Sequence, residues 1–160
     1  MQKAHNLILG LDPGPKNCGW VLYDHSTQTV KQSGHDEWIA VRYTLETRAP
    51  YLKAVCVEKV IMHMGLPPSR LIIDTATNIG RIQELCALYD IEYHEHARID
   101  ICEKVAGVRP KPGVKVSKKD MQIAVQKLLN APEVIRPQHA NDAAAAILAE
   151  YPPNVKKKTQ

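Results

Sequence analysis

Three stretches of the 160-residue chain set metal-ligating side chains where an element begins or ends. Leu7-Ile8-Leu9-Gly10-Leu11 runs into Asp12 at a Pro13-Gly14 corner, and a second apolar run, Trp20-Val21-Leu22-Tyr23, follows Gly19. This is the pattern of a hairpin with an acid at its rim. Leu71-Ile72-Ile73 also ends in an acid, Asp74, and His139 and Asp142 stand at the head of an alanine-rich segment, three residues apart and so on one helix face. A strand that ends on a carboxylate suits metal binding or catalysis, although Asp-Pro-Gly is also ordinary turn chemistry. Magnesium and manganese take carboxylate oxygens and water, and manganese accepts imidazole as well. Two such ions, roughly 3.5 to 4 Å apart, can activate water and stabilise a leaving oxygen in phosphodiester hydrolysis. Spacing in the chain cannot bring these ligands together; a fold has to.

The elements that would position them can be read in order. Residues 7–11 and 19–24 form the first two strands, with 29–33 and then 37–41 completing an antiparallel meander. Leu52, Val55, Cys56, Lys59, Val60 and Met64 lie near helical spacing, so 47–64 reads as a long helix ended by Gly65 and Pro67-Pro68. Residues 71–73 read as a short buried strand. A helix at 81–89, a strand at 91–96 and a helix at 99–106 closed by Gly107 follow, and this alternation implies crossovers into a largely parallel half-sheet. The stretch 108–116, with two prolines, a glycine and the cations Arg109, Lys111 and Lys115, reads as an exposed basic loop or hairpin. Ser117 can cap a helix at 118–129, and Pro137 and Pro152-Pro153 punctuate a last helix at 139–151. His94-Glu95-His96 alternates as a strand does and is not read as a metal site. Glu84, within the 81–89 helix, is held as a reserve ligand.

The bulk composition fits one domain, residues 1–151, followed by a basic tail, 152–160. Apolar residues make up 44% and charged residues 24%, the balance of a folded globular protein. Phe is absent, so the core is built from Ile, Leu, Val, Ala and Met. The net charge of +4 is compatible with a polyanionic partner without requiring one. Cys18, Cys56, Cys86 and Cys102 are widely spaced with no Cys-x-x-Cys pair, which disfavours a zinc knuckle or disulfide scaffold and favours a reducing compartment. With no signal-peptide layout and no span-length apolar run, a cytoplasmic protein without membrane contact is expected.

Taken together, Leu9-Gly10-Leu11-Asp12-Pro13-Gly14 with Gly19-Trp20, Ile72-Ile73-Asp74, Ser117-Lys118 and His139-x-x-Asp142-Ala143-Ala144 resemble the RuvC family of Holliday junction resolvases, in particular its shorter phage-type members. The resemblance covers nearly the whole chain. It implies an α/β fold of the ribonuclease-H-like superfamily, a mixed five-stranded sheet flanked by helices. It also implies a homodimeric, magnesium- or manganese-dependent endonuclease with two ions per active site, acting on branched DNA in recombination and repair inside a bacterial or phage-infected cell. By position, Asp12, Asp74, His139 and Asp142 would be the metal ligands, and Lys118 would contact the cleaved phosphate. Arg109, Lys111, Lys115 and Lys119 are the remaining candidate DNA contacts.

Three departures from the family stand out. Asp74 occupies the position where glutamate is usual, Thr75-Ala76-Thr77 offers no aromatic wedge, and the loop 108–116 is long. The first of these keeps open a junction-binding protein with weak or no nuclease activity. Another ribonuclease-H-like nuclease, acting on RNA or replication intermediates, is the other alternative. The Asp12 hairpin also resembles the first phosphate loop of actin-like ATPases, but that fold needs a second such hairpin and about twice the length. The 47–64 helix is the expected dimer contact.

Overall fold

The sheet is built around β1 (Leu7–Pro13), with strands in the order β3-β2-β1-β4-β5. The computed structural model describes residues 5–60, 69–129 and 135–153. β2 (Asn17–Asp24) pairs antiparallel with β1, and β3 (Thr29–Glu37) pairs antiparallel with β2. On the other side, β4 (Leu52–Glu58) lies parallel to β1, and β5 (Glu92–His96) lies parallel to β4. An antiparallel hairpin followed by parallel crossovers is the mixed five-stranded α/β sheet expected from the sequence.

Helices cover both faces of this sheet. Ile8, Val21, Tyr23, Ala54 and Cys56 point to one face, where they pack with α3 (Arg98–Ala106), α4 (Lys118–Leu128) and α5 (Gln138–Glu150). Leu9, Leu11, Leu22, Val55 and Val57 point to the other and pack with α1 (Trp38–Arg48) and α2 (Arg70–Leu88). The alternation follows from the strand period of two. No helix among the described residues is long and apolar enough to cross a membrane.

Three elements differ from the sequence reading. Residues 37–41 do not form a strand, because α1 begins at Trp38 and buries Val41 and Leu45 four residues apart. The 47–64 helix is replaced by a short 3-10 turn (Ala49–Tyr51) and then β4, so the dimer contact assigned to that helix falls with it; 61–68 lie outside the described residues. Ala54, Val55, Cys56 and Val57 are all buried, as befits a parallel strand covered on both faces, and the apparent helical spacing was carried by a run without polar interruptions. Finally, 71–73 is the first turn of α2, not a strand. The Ser69 side chain caps it by accepting from the Ile72 amide, while Leu71 and Ile73 are about half exposed.

The remaining elements fall near their expected places. Ser117 caps α4 in a reciprocal capping box with Asp120, and Gly107, at φ 70°, closes α3 in the left-handed conformation. Lys111 and Val114 pair across a tight turn within the basic loop.

Candidate metal centre

Asp12 reaches the site through the pleat of β1. Ile8, Gly10 and Asp12 share one face of that strand; Ile8 and Gly10 lie against α5, and Asp12 comes out at the strand's end beside the start of the same helix. The approach of α5 is close. A Cβ on Gly10 would lie 2.3 Å from the Ala143 carbonyl oxygen, and one on Gly19 would lie 2.4 Å from the carbonyl oxygen of His139. The alanines at 143–146, all buried, complete this contact, so main chain rests nearly on main chain. The corner after Asp12 is tied by the Gly14 amide donating to the Asn17 carbonyl at 3.0 Å and by Trp38 Nε1 donating to the Gly14 carbonyl at 2.9 Å.

This packing brings the first turn of α5 to the strand end. His139 Nδ1 lies 2.8 Å from Asp12 Oδ2, and the His139 ring stacks on His35 with centroids 4.5 Å apart. Asp12, His139 and Asp142 can each present one ligand atom such that all lie within 4.8 Å of one another. Asp142 is buried and His139 about half exposed, which gives the cluster a dry side and an open side. The open side is a cleft of 340 Å³ lined by the Pro13–Asn17 corner, His35 and Leu71 as well as Asp12 and His139.

The structure does not bring Asp74 to this cluster. It sits on α2, half exposed, 3.9 Å from Arg70 one turn earlier. The second carboxylate beside Asp12 is Glu58, which the sequence reading missed. β4 runs parallel to β1 with Leu11 beside Val57, so the next residue of β4 is level with Asp12, and the pleat turns both acids to the α5 face. The missed signal is the one that singled out Asp12, an unbroken apolar run ending in an acid, here Ala54-Val55-Cys56-Val57-Glu58. Glu58 thus offers a glutamate beside Asp12, the place the sequence reading gave to Asp74, and Lys59 and Val60 after it are no more aromatic than Thr75-Ala76-Thr77.

Electrostatics follow from this crowding of acids. Burial pushes the Asp12 carboxyl up from its ordinary value, the His139 hydrogen bond works against that, and the Asp142 charge adds to it. Burial also pushes Glu58 up to about 7, opposed by Arg98 and reinforced by Asp12 and Asp142. Arg98 Nη1 stands 3.2 Å from Glu58 Oε2 and 3.1 Å from Asp142 Oδ1. Partly buried carboxylates that repel one another, with an imidazole nitrogen beside them, form a donor set suited to a hard divalent cation, whose charge would relieve the repulsion.

No family model matches the sequence, and no curated protein matches it. Solved structures do. RuvC of Thermus thermophilus superposes with a TM-score of 0.71 over 89% of this chain and 92% of its own, at 16% sequence identity. The same protein in complex with a Holliday junction substrate gives 0.71 over 91% and 92%, at 17% identity. The chain has the RuvC fold. Within that RuvC fold, the sites read from the sequence divide in two: Asp12, His139 and Asp142 converge, and Asp74 stays apart.

The basic candidates lie elsewhere on the RuvC-like scaffold. Lys118 and Lys119 open α4 and are exposed, and among the described residues neither forms an ion pair with the clustered acids. Two cations at a helix N-terminus oppose the helix dipole, so their placement brings no local stabilisation. Arg109 pairs with Glu103 of α3, and Lys111 lies in the tight turn with Val114. Lys115 lines a groove between α3 and α4 together with Lys104 and Lys127. Most of the basic tail, 154–160, lies outside the described residues.

Proposed function

We propose that this protein is a metal-dependent endonuclease that resolves four-way DNA junctions in recombination and repair. The observation that carries the reading is the convergence of Asp12, His139 and Asp142, with Glu58 level with Asp12 on the next strand, at one end of a RuvC-type sheet. In this reading Asp12, Glu58, His139 and Asp142 hold two magnesium or manganese ions. When bound, such ions supply a nucleophilic water at neutral pH and stabilise charge on the leaving oxygen. The chain's own part is positioning. His139 orients the Asp12 carboxylate through Nδ1, the buried first turn of α5 fixes Asp142, and the cleft on the His35 and Leu71 side admits the scissile strand. Lys118 and Lys119 contact phosphates, which accounts for two cations at a helix end where the dipole disfavours them. Arg109, Lys111 and Lys115 extend that grip along the loop, positioning DNA without reading its sequence.

The protein acts as a homodimer, each subunit nicking one of two opposing strands. Ile39 and Tyr43 on α1, about two thirds exposed or more, line one apolar surface suited to that contact. The alternative of a binding protein without nuclease activity drew its support from Asp74, and a glutamate beside Asp12 favours the nuclease reading over it.

The test is a synthetic four-way junction with strands labelled one at a time. With magnesium or manganese, the protein should introduce symmetric nicks in opposing strands. Asp12→Asn should lose the nicks and keep the binding. A junction bound tightly and left intact under both metals would make the protein a binding module instead.

A further inference from the structure

Arg98 holds two acids with one atom. Its Nη1 lies within ion-pair distance of Glu58 Oε2, at the end of β4, and of Asp142 Oδ1, in the first turn of α5. Both carboxylates are largely buried, and the guanidinium is about two thirds covered. One nitrogen bridging carboxylates from two different elements occupies the position of a bridging cation. Asp12 and His139, by contrast, bond directly to each other and line the open cleft, and among the described residues neither forms an ion pair with Arg98. Arg98 begins α3, where a cation opposes the helix dipole, so its location is not explained by stability of its own helix.

We infer that Arg98 is a tethered cation standing in for one of the two divalent ions, and that an ion coordinated by Glu58 binds by displacing its guanidinium. This rests on reading the cluster as a metal centre. Asp12, His139 and Asp142, each offering one ligand atom, would hold the first ion. The second competes with a charge attached to the protein, so it binds more weakly, and the site fills in order. Arg98 is therefore a positioning residue that sets metal affinity. It keeps Glu58 and Asp142 from repelling one another while the centre is empty, and it withdraws when the centre is full.

The test is metal binding without DNA. Calorimetric titration of the wild type with Mn²⁺ should show two unequal steps. In Arg98→Met, which fills similar space without charge, the weaker step should tighten by roughly tenfold or more, because the internal competitor is gone. Arg98→Lys keeps a cation but loses the planar reach, and should give a smaller tightening with an unchanged melting temperature. In the wild type, the Arg98 Nε–H resonance should move only during the weaker step of a Mg²⁺ titration. A weaker step that is unchanged or loosened in both variants, or an Arg98 signal that stays fixed through saturation, overturns the displacement. If junction cutting persists alongside that result, the nuclease reading stands and only this inference falls; if no protein binds Mn²⁺, both fall.

Discussion

Replacing Glu58 by Gln should stabilise the metal-free protein above neutral pH, and the size of the effect follows from its surroundings. In the folded protein, burial among Asp12 and Asp142 holds the Glu58 carboxyl protonated up to about 7, against an ordinary 4.5. Between those values the folded state binds a proton that the unfolded chain has released, so stability falls as pH rises across the window. Below pH 4.5 the group is neutral in both states and costs nothing extra. Above 7 it is charged in both states, and the folded protein bears the full penalty, about 3 kcal/mol for a gap of this size. Gln has similar shape and no charge, so the stability advantage of Glu58→Gln should be near zero at pH 4.5, grow through pH 6, and level off near that value by pH 8. Urea denaturation of both proteins, metal-free, at four or five pH values measures it, and taking the difference cancels every other titrating group. Adding Mg²⁺ should reverse the order once it reaches about a thousand times its Kd, where ligand bound only to the native state stabilises it by about 4.1 kcal/mol. A difference that is flat with pH, or a wild type that is the more stable protein at pH 8, would refute this account; Glu58 would then be a carboxylate fully satisfied by Arg98.

Two further substitutions test the geometry directly. Asp74→Asn should leave junction cutting and Mn²⁺ binding unchanged, whereas Glu58→Ala should lower cutting by roughly 100-fold or more, as loss of a ligand exceeds the usual cost of losing an outer partner; equal losses in both would return Asp74 to the site. Gly19→Ala should destabilise by about 1–3 kcal/mol and weaken Mn²⁺ binding, because the added methyl meets the His139 carbonyl oxygen and pushes the first turn of α5 away; equilibrium denaturation and a Mn²⁺ titration read the two effects.

The parts of this centre that were legible in the sequence are those marked by punctuation. Asp12 is flagged by Pro13-Gly14 at the end of an apolar run, and α5 by Pro137 before it and an uninterrupted alanine stretch. Local chemistry dictates both, so a local reading finds them. Glu58 was hidden by a strand buried on both faces, which has no polar alternation to mark its period; with Lys59, Val60 and Met64 beyond it, the same residues fit a helical template. The opposite error occurred at Leu71-Ile72-Ile73, where apolar residues on an exposed first turn mimicked a buried strand and lent Asp74 a place at its end. Arg98 could not be located at all by spacing. Its partners come from β4 and α5, 40 and 44 residues away, and its one local sign is a cation at a helix start where an anion would be preferred. Ser117 and Asp120 show the contrast, since a capping box lies within four consecutive residues and is visible there.

The contact of α5 with the β1–β2 hairpin has a consequence for how such a chain tolerates change. Gly10 and Gly19 meet the carbonyls of Ala143 and His139 directly, so the spacing between the strand's acid and the helix's two ligands is gauged by backbone atoms that every sequence possesses. The surrounding Ile, Val and Leu residues fill volume without serving as the ruler. They can drift through many exchanges while the ruler keeps its length, provided no side chain grows at the two glycines. A lineage can in this way lose nearly all recognisable sequence and still hold its acids at a working distance, since what is inherited is a separation between two pieces of main chain.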